Sequence, residues 1–335
     1  MRKLVLWGLA ALFVLCRVFP LNKNKVVLLR RFPQWGSLGV LGDYLAQHTK
    51  LHVLRIAHWR KLSTVYHLAT AGTIFLNDGF RPLAYFPISK KVQVIQLWHA
   101  DGALKRWGAS VGEPFAEAKR YTAVVCASQA IVPHWAEAFG VPEELVLPLG
   151  SPQADKMLAT KKFHVKQSAG QSVLYAPSFR DDDPYSMNLL AQFDFEKFRK
   201  QFPQTQLYVR LHPKLHGTYT LPGWVTDATN EDLAQLLHGC DCLITDYSSI
   251  MVDAAALDFP VILYVHDYEN YMKNERGFYV DLRAAPPGPL AETFDELLGL
   301  LSQQDNSAQL RQSFVKHHLG ELNGSSCENI TNALL

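Results

Sequence analysis

No run of about 20 apolar residues, the length a membrane-spanning helix needs, occurs in this chain of 335 residues. The nearest approach, Leu4 to Cys16, is closed by Arg17. Cysteine is scarce, and the five present (Cys16, Cys126, Cys240, Cys242 and Cys327) form no CxxC pair, which fits a reducing compartment where thiols stay unpaired. Charge of one sign is also lacking: 33 Lys and Arg against 31 Asp and Glu leave +2. That excess is too small for a general nucleic-acid binder, so any anion site must be local. There is no GxGxxG loop, no phosphate loop ending in GK[ST] and no GxSxG elbow, and the dehydrogenase, ATPase and serine-hydrolase readings lose their support. Without HExxH, a Cys-His cluster or an acidic metal signature, the chemistry is expected to need neither metal nor cofactor.

What is present is the composition of a folded protein, 48% hydrophobic and 19% charged, long enough for two domains. Short apolar runs such as KVVLLR, GTIFLND, KVQVIQLWH and TAVVCAS alternate with helix-like stretches, GVLGDYLAQHT and IVPHWAEAFG among them. The rhythm restarts after residue 170 with SVLYAPS, QLYVRLHP, GWVTDAT, CDCLITDYSS and PVILYV. It predicts an α/β protein of two Rossmann-like, doubly wound lobes facing a central cleft, residues 22–156 and 171–335, joined by a polar, basic linker over 157–170. Residues 1–21 form a separate hydrophobic segment. Arg2 and Lys3 precede it and Lys23 and Lys25 follow, but no small-x-small cleavage site ends it. A buried core helix and a single span are alternatives; the flanking cations favour a helix lying on an anionic cytoplasmic leaflet. The sequons at Asn323 and Asn329 matter only in a secreted chain.

Ligands of such sheets bind beyond the carboxyl ends of the strands. His99 closes one strand in LWHADG, and Arg180, His212 and the pair Ser248 and Ser249 follow three strands of the second lobe. Neutral His99 can take a proton from an attacking hydroxyl, and Asp101 is near enough in sequence to orient it. Gly102 permits a tight turn, and a helix expected to begin near Ala103 would aim N–H groups at the same place. Lys105 and Arg106 either complement phosphate or are solvated helix cations. Ser248 and Ser249 open a helix, as anion ligands or as plain caps. Asp253 would face either the cleft or solvent. His212 could neutralise a diphosphate; its spacing to His216 resembles a metal pair, but Pro213 opposes the helix that pair needs. The residues thus describe a two-lobed enzyme for a phosphorylated, nucleotide-like substrate.

The ordered motifs QLWHADGALK, YAPSFRDD, RLHP, ITDYSSIMVD, RGFYVDL and PPGP, with YHLATAGTIFLND and AFGVPEELVLPLGSP before them, resemble the CDP-glycerol glycerophosphotransferase family over about residues 60–290. The form HADGALK is similar to its glycerol-phosphate primase branch in teichoic acid synthesis. The resemblance implies a GT-B-type fold and transfer of one glycerol phosphate from CDP-glycerol, releasing CMP. The acceptor would be the N-acetylmannosamine of an undecaprenyl-diphosphate-linked disaccharide, reached at the cytoplasmic face of a bacterial membrane by a peripheral enzyme, with other teichoic acid enzymes as potential partners. On this reading His99, His212 and Asp101 are expected to be catalytic. Arg180, Ser248, Ser249, Thr245, Asp246, Asp253, Thr229 and Arg276 would surround the donor, and Gly102 and Lys105 would lie on the acceptor side.

Two departures from the family pattern stand out: Asp101, where an uncharged residue is usual, and Gln153, where Arg is frequent. The rival readings are a glycerol- or ribitol-phosphate polymerase of the same family and a non-catalytic nucleotide-binding scaffold.

Overall fold

The computed structural model describes residues 3–31, 35–160, 171–178, 189–211, 219–274 and 277–335. The chain divides into two units: Met1–Gly102 with Trp107–Lys156 and Leu319–Leu335, and Ala103–Arg106 with Met157–His318. Residues 319–335, expected with the second lobe, therefore belong to the first. The reason is packing, since Cys327 and Ile330 of the helix Ser326–Leu334 join the core built on Val26, Leu28, Phe75 and Ile95.

In the first unit, strands β1 (Asn22–Leu29), β2 (His52–Ile56), β3 (Ala71–Leu76), β4 (Gln93–Gln96), β5 (Ala123–Cys126) and β6 (Val146–Pro148) pair in the order β2-β1-β3-β4-β5-β6. Every pairing is parallel. Strand β3 is buried along its whole length, as a strand covered on both faces must be, which is why its sequence, AGTIFL, carries no charge. Gly72 is needed there, because a Cβ would stand 2.6 Å from the Lys23 carbonyl oxygen. The order reverses between β1 and β3, the switch that defines a doubly wound sheet.

Helix α1 (Lys3–Cys16) packs by one stripe only. Leu6, Ala10 and Phe13 are buried, and Phe13 stacks on Phe86 at 4.6 Å. Its other face is apolar and open: Leu4 is 82% exposed, Trp7 63% and Leu15 67%, and Val18 just beyond is 80% exposed. At about 21 Å long, from the usual rise per residue, α1 is shorter than a bilayer core. No helix among the described residues is long and apolar enough to cross a membrane.

In the second unit, β7 (Ser172–Ala176), β8 (Gln206–Val209), β9 (Thr226–Asp227), β10 (Cys242–Thr245), β11 (Val261–Tyr264) and β12 (Leu290–Ala291) form a second parallel sheet, β12-β11-β10-β7-β8-β9. Counted from its own first strand, this is the dinucleotide-binding order, with the switch between β7 and β10. Its core gathers Val173, Tyr175, Phe198, Leu207, Ile244 and Leu297.

Candidate active site

In the first unit the site grows from the end of β4. Gln96 is fully buried. Its side-chain oxygen accepts from the Trp98 N–H at 2.9 Å, and its amide donates to the Asp78 carbonyl at 3.3 Å and the Tyr121 hydroxyl at 3.2 Å. This clamp holds Trp98 at φ 61°, a left-handed conformation costly for a bulky residue and found where surroundings over-determine it. The Trp98 ring packs against Phe115 and Phe139 and lies 4.1 Å from the His99 ring.

His99 Nδ1 is 3.1 Å from the Asn77 carbonyl oxygen. A carbonyl can only accept, so Nδ1 carries the proton and Nε2 is the basic nitrogen. Burial pushes the His99 pKa below the ordinary imidazole value, with the Asp78 charge and the Asn77 carbonyl opposing that shift. At neutral pH the ring is therefore an unprotonated base.

Asp101 does not orient His99 as expected. Its carboxylate takes the Ser151 hydroxyl at 2.7 Å, and burial lifts its pKa to about 6 against that hydrogen bond. The acid acting on His99 is Asp78, at the end of the neighbouring strand. Gly102 sits at φ 76° and gives its carbonyl to Trp135 Nε1 at 3.0 Å. No helix begins at Ala103. The Tyr279 N–H donates to the Leu104 carbonyl and the Arg106 N–H to that of Gly277, so the segment is extended and pairs as a bridge of Lys105 with Phe278.

That pairing puts Lys105 in the second unit. Its ammonium is 3.4 Å from Ser178 Oγ and 5.2 Å over the Tyr271 ring. Ser178 follows β7, and its N–H donates at 2.7 Å to Asp246, which follows β10. Lys105 thus stands at the switch point of the second sheet. Thr245 and Asp246 are buried there; Thr245 Oγ1 donates to the Ala176 carbonyl, and Asp246 also takes the Tyr247 N–H. They shape the strand end that carries Ser248 and Ser249.

Ser248 is half-buried and accepts the Ile250 N–H at 3.4 Å, whereas Ser249 is exposed at the start of the helix Ile250–Ala256. Asp253 lies in that helix's first turn. Thr229 is buried, taking the Leu211 N–H and meeting the Tyr219 hydroxyl at 3.1 Å. Arg180, His212 and Arg276 lie outside the described residues.

Burial pushes the thiols of Cys126, Cys240, Cys242 and Cys327 up to about 12, which makes them poor nucleophiles at neutral pH. Among the described residues no three His, Cys, Asp or Glu side chains gather as a metal site would require.

One parallel α/β sheet thus carries a histidine just past the end of β4, and the other a lysine and two serines at its switch point. Residues 43–335 match the family described as CDP-glycerol:poly(glycerophosphate) glycerophosphotransferase, and the chain belongs to it. It is 30% identical over 299 residues to the teichoic acid poly(ribitol-phosphate) polymerase of Bacillus spizizenii, covering 82% of this chain and 48% of that protein. Similarity to the teichoic acid ribitol-phosphate primase of the same organism is 30% over 296 residues, 80% of this chain and 75% of the relative. The teichoic acid glycerol-phosphate primase of that organism is 27% identical, with 93% and 91% covered. The chain thus spans about half the length of the first polymerase and most of the primases.

The wall teichoic acid polymerase TagF has the same fold, with TM-score 0.76 at 20% identity over 99% of this chain and 94% of that one. A TagF variant soaked with CDPG superposes with TM-score 0.78 at 20% identity, covering 97% and 92%.

Proposed function

We propose that this chain transfers one glycerol phosphate from CDP-glycerol to the N-acetylmannosamine of an undecaprenyl-diphosphate-linked disaccharide, releasing CMP. The observation that carries the reading is the Asn77 carbonyl on His99 Nδ1, which leaves Nε2 as the base. The acceptor hydroxyl oxygen bonds to the phosphorus that bears glycerol, and its proton passes to Nε2. The bond from that phosphorus to the bridging oxygen breaks, and CMP departs with the electron pair.

Charge gathering on the departing phosphate falls to Lys105, Ser248 and Ser249 at the second sheet's switch point, and to Arg180 and His212. Asp253, Thr229 and Arg276 complete the donor side, and Gly102 belongs with the acceptor. The CDPG soak of TagF supports this donor. Positioning and charge stabilisation suffice for phosphoryl transfer, so no cofactor or metal is invoked. The apolar face of α1, with Lys3, Arg17 and Lys23 beside it, would hold the enzyme peripherally on the cytoplasmic leaflet where a lipid-linked acceptor lies.

A second reading takes support from the relatives at 30% identity, which are ribitol-phosphate enzymes. It keeps the mechanism and replaces the donor polyol. Both are tested by offering CDP-glycerol or CDP-ribitol with a soluble disaccharide-diphosphate acceptor and reading CMP and product mass. One added glycerol phosphate supports the first reading and one ribitol phosphate the second. A ladder identifies a polymerase, and no product with either donor sinks both.

A further inference from the structure

The first sheet reverses between β1 and β3, and Arg30 and Arg31 lie just past one strand end with Asn77 and Asp78 just past the other. Ligands of open parallel sheets collect at such reversals. Arg31 is fixed at this one. Its N–H donates to Asn77 Oδ1 at 2.8 Å, its Nε donates to the Gly79 carbonyl at 3.4 Å, and its guanidinium lies 4.9 Å from the Trp59 ring centre and 5.9 Å from that of Phe80. These contacts hold the stem and the guanidinium plane but use neither terminal nitrogen. No carboxylate or other acceptor engages those nitrogens among the described residues.

A guanidinium presents parallel N–H groups that match two oxygens of one phosphate. One already stacked on indole has given up much of its rotamer freedom before any ligand arrives, which lowers the cost of binding. Arg30 stacks similarly, 5.2 Å from the Trp35 ring centre. Asn77 ties this cation to the base, since its side chain takes the Arg31 N–H while its carbonyl takes His99 Nδ1.

We infer that Arg31 is a binding site for a phosphate group of the acceptor. That phosphate is either the diphosphate joining the sugar to its lipid or a phosphodiester of a growing chain. The inference deepens the reading given under Proposed function, in which the first unit deprotonates the acceptor, and rests on it.

The test uses the full chain with Arg31→Met and Arg31→Lys and three acceptors: the disaccharide diphosphate, the disaccharide without phosphate, and a glycerol-phosphate oligomer. Arg31→Met is expected to raise KM at least tenfold for a phosphate-bearing acceptor and to leave KM for CDP-glycerol and for the phosphate-free disaccharide unchanged. Arg31→Lys should recover part of the loss. A loss confined to the disaccharide diphosphate assigns the lipid linkage, and one confined to the oligomer assigns the chain. Unchanged acceptor KM, or a raised donor KM in its place, overturns the inference.

Titration calorimetry with inorganic pyrophosphate, at fixed ionic strength and saturating CDP-glycerol, separates this from the functional reading. If the wild type transfers to no acceptor, that reading fails. Pyrophosphate binding weakened tenfold by Arg31→Met still supports the site, and binding that is absent or unaltered overturns it.

Discussion

Nδ1 of His99 and the carbonyl oxygen of Asn77 meet at 3.1 Å, although 22 residues separate them in the chain. The contact selects one tautomer of the ring, with the proton on Nδ1 and the lone pair on Nε2.

His99→Ala is expected to lower kcat by two to four orders of magnitude and to leave CDP-glycerol binding within a few-fold, as removal of a general base does. Because burial depresses the His99 pKa, the unprotonated form persists into mildly acid solution. The acid limb of kcat/KM should therefore fall below the ordinary imidazole value of about 6.5 and vanish from the residual rate of the variant. A limb unchanged in His99→Ala would assign it to another group.

Asp101 offers a stability readout. Its carboxyl titrates near 6 in the folded chain against an ordinary 3.8, so the fold binds the proton more tightly than the unfolded chain does. Stability falls as pH rises between those values and stays reduced above them, by up to about 3 kcal/mol at 1.36 kcal/mol per pH unit. Asp101→Asn keeps an acceptor for Ser151. It should match the wild type near pH 4, exceed it in urea unfolding at pH 8, and hold kcat within a few-fold.

Lys105→Met should raise KM for the donor about tenfold while acceptor KM stays put, because the ammonium sits with Ser178 and Tyr271 in the second unit. An effect on acceptor KM alone would return Lys105 to the acceptor side. Initial-rate kinetics with each substrate varied in turn decide between them.

Gln96→Leu removes the partner of the Trp98 N–H and leaves the Asp78 carbonyl and Tyr121 hydroxyl short of a donor. About 3 kcal/mol of stability should be lost, as for buried polar groups left unpaired. With Trp98 released from its left-handed backbone, kcat should fall more than either KM rises. Denaturant unfolding and steady-state kinetics on one preparation measure both.

Trp7, Leu15 and Val18 contribute to the open face of α1 and its end, not to the buried stripe of Leu6, Ala10 and Phe13. Changing all three to Ser should therefore leave thermal unfolding nearly unaltered and abolish sedimentation with vesicles containing anionic lipid. Undiminished sedimentation would remove α1 from the membrane reading.

Much of the architecture was legible because it is local. Buried parallel strands favour short, mostly apolar stretches, and GTIFLND and KVQVIQLWH carry them. His99, Ser248 and Ser249 stood out by following such runs. Asp101 misled because sequence adjacency to His99 does not show which way a carboxylate turns, and its partner Ser151 is 50 residues on. The segment from Ala103 looked helical by itself; pairing with Gly277 to Tyr279 made it extended.

Composition and motif order by themselves determined two α/β sheets and the family, since these follow from periodicity and from short stretches whose residues act together. Only the tertiary structure decided that Asn77 sets the His99 tautomer, that Gln96 holds Trp98, that Lys105 belongs with Ser178 and that Arg31 is locked over Trp59. The Asn77, Lys105 and Arg31 contacts join segments far apart in the chain, and the Gln96 amide that holds Trp98 is itself fixed by Asp78 and Tyr121. Such contacts are fixed by sheet order and register, which no local pattern of residues encodes.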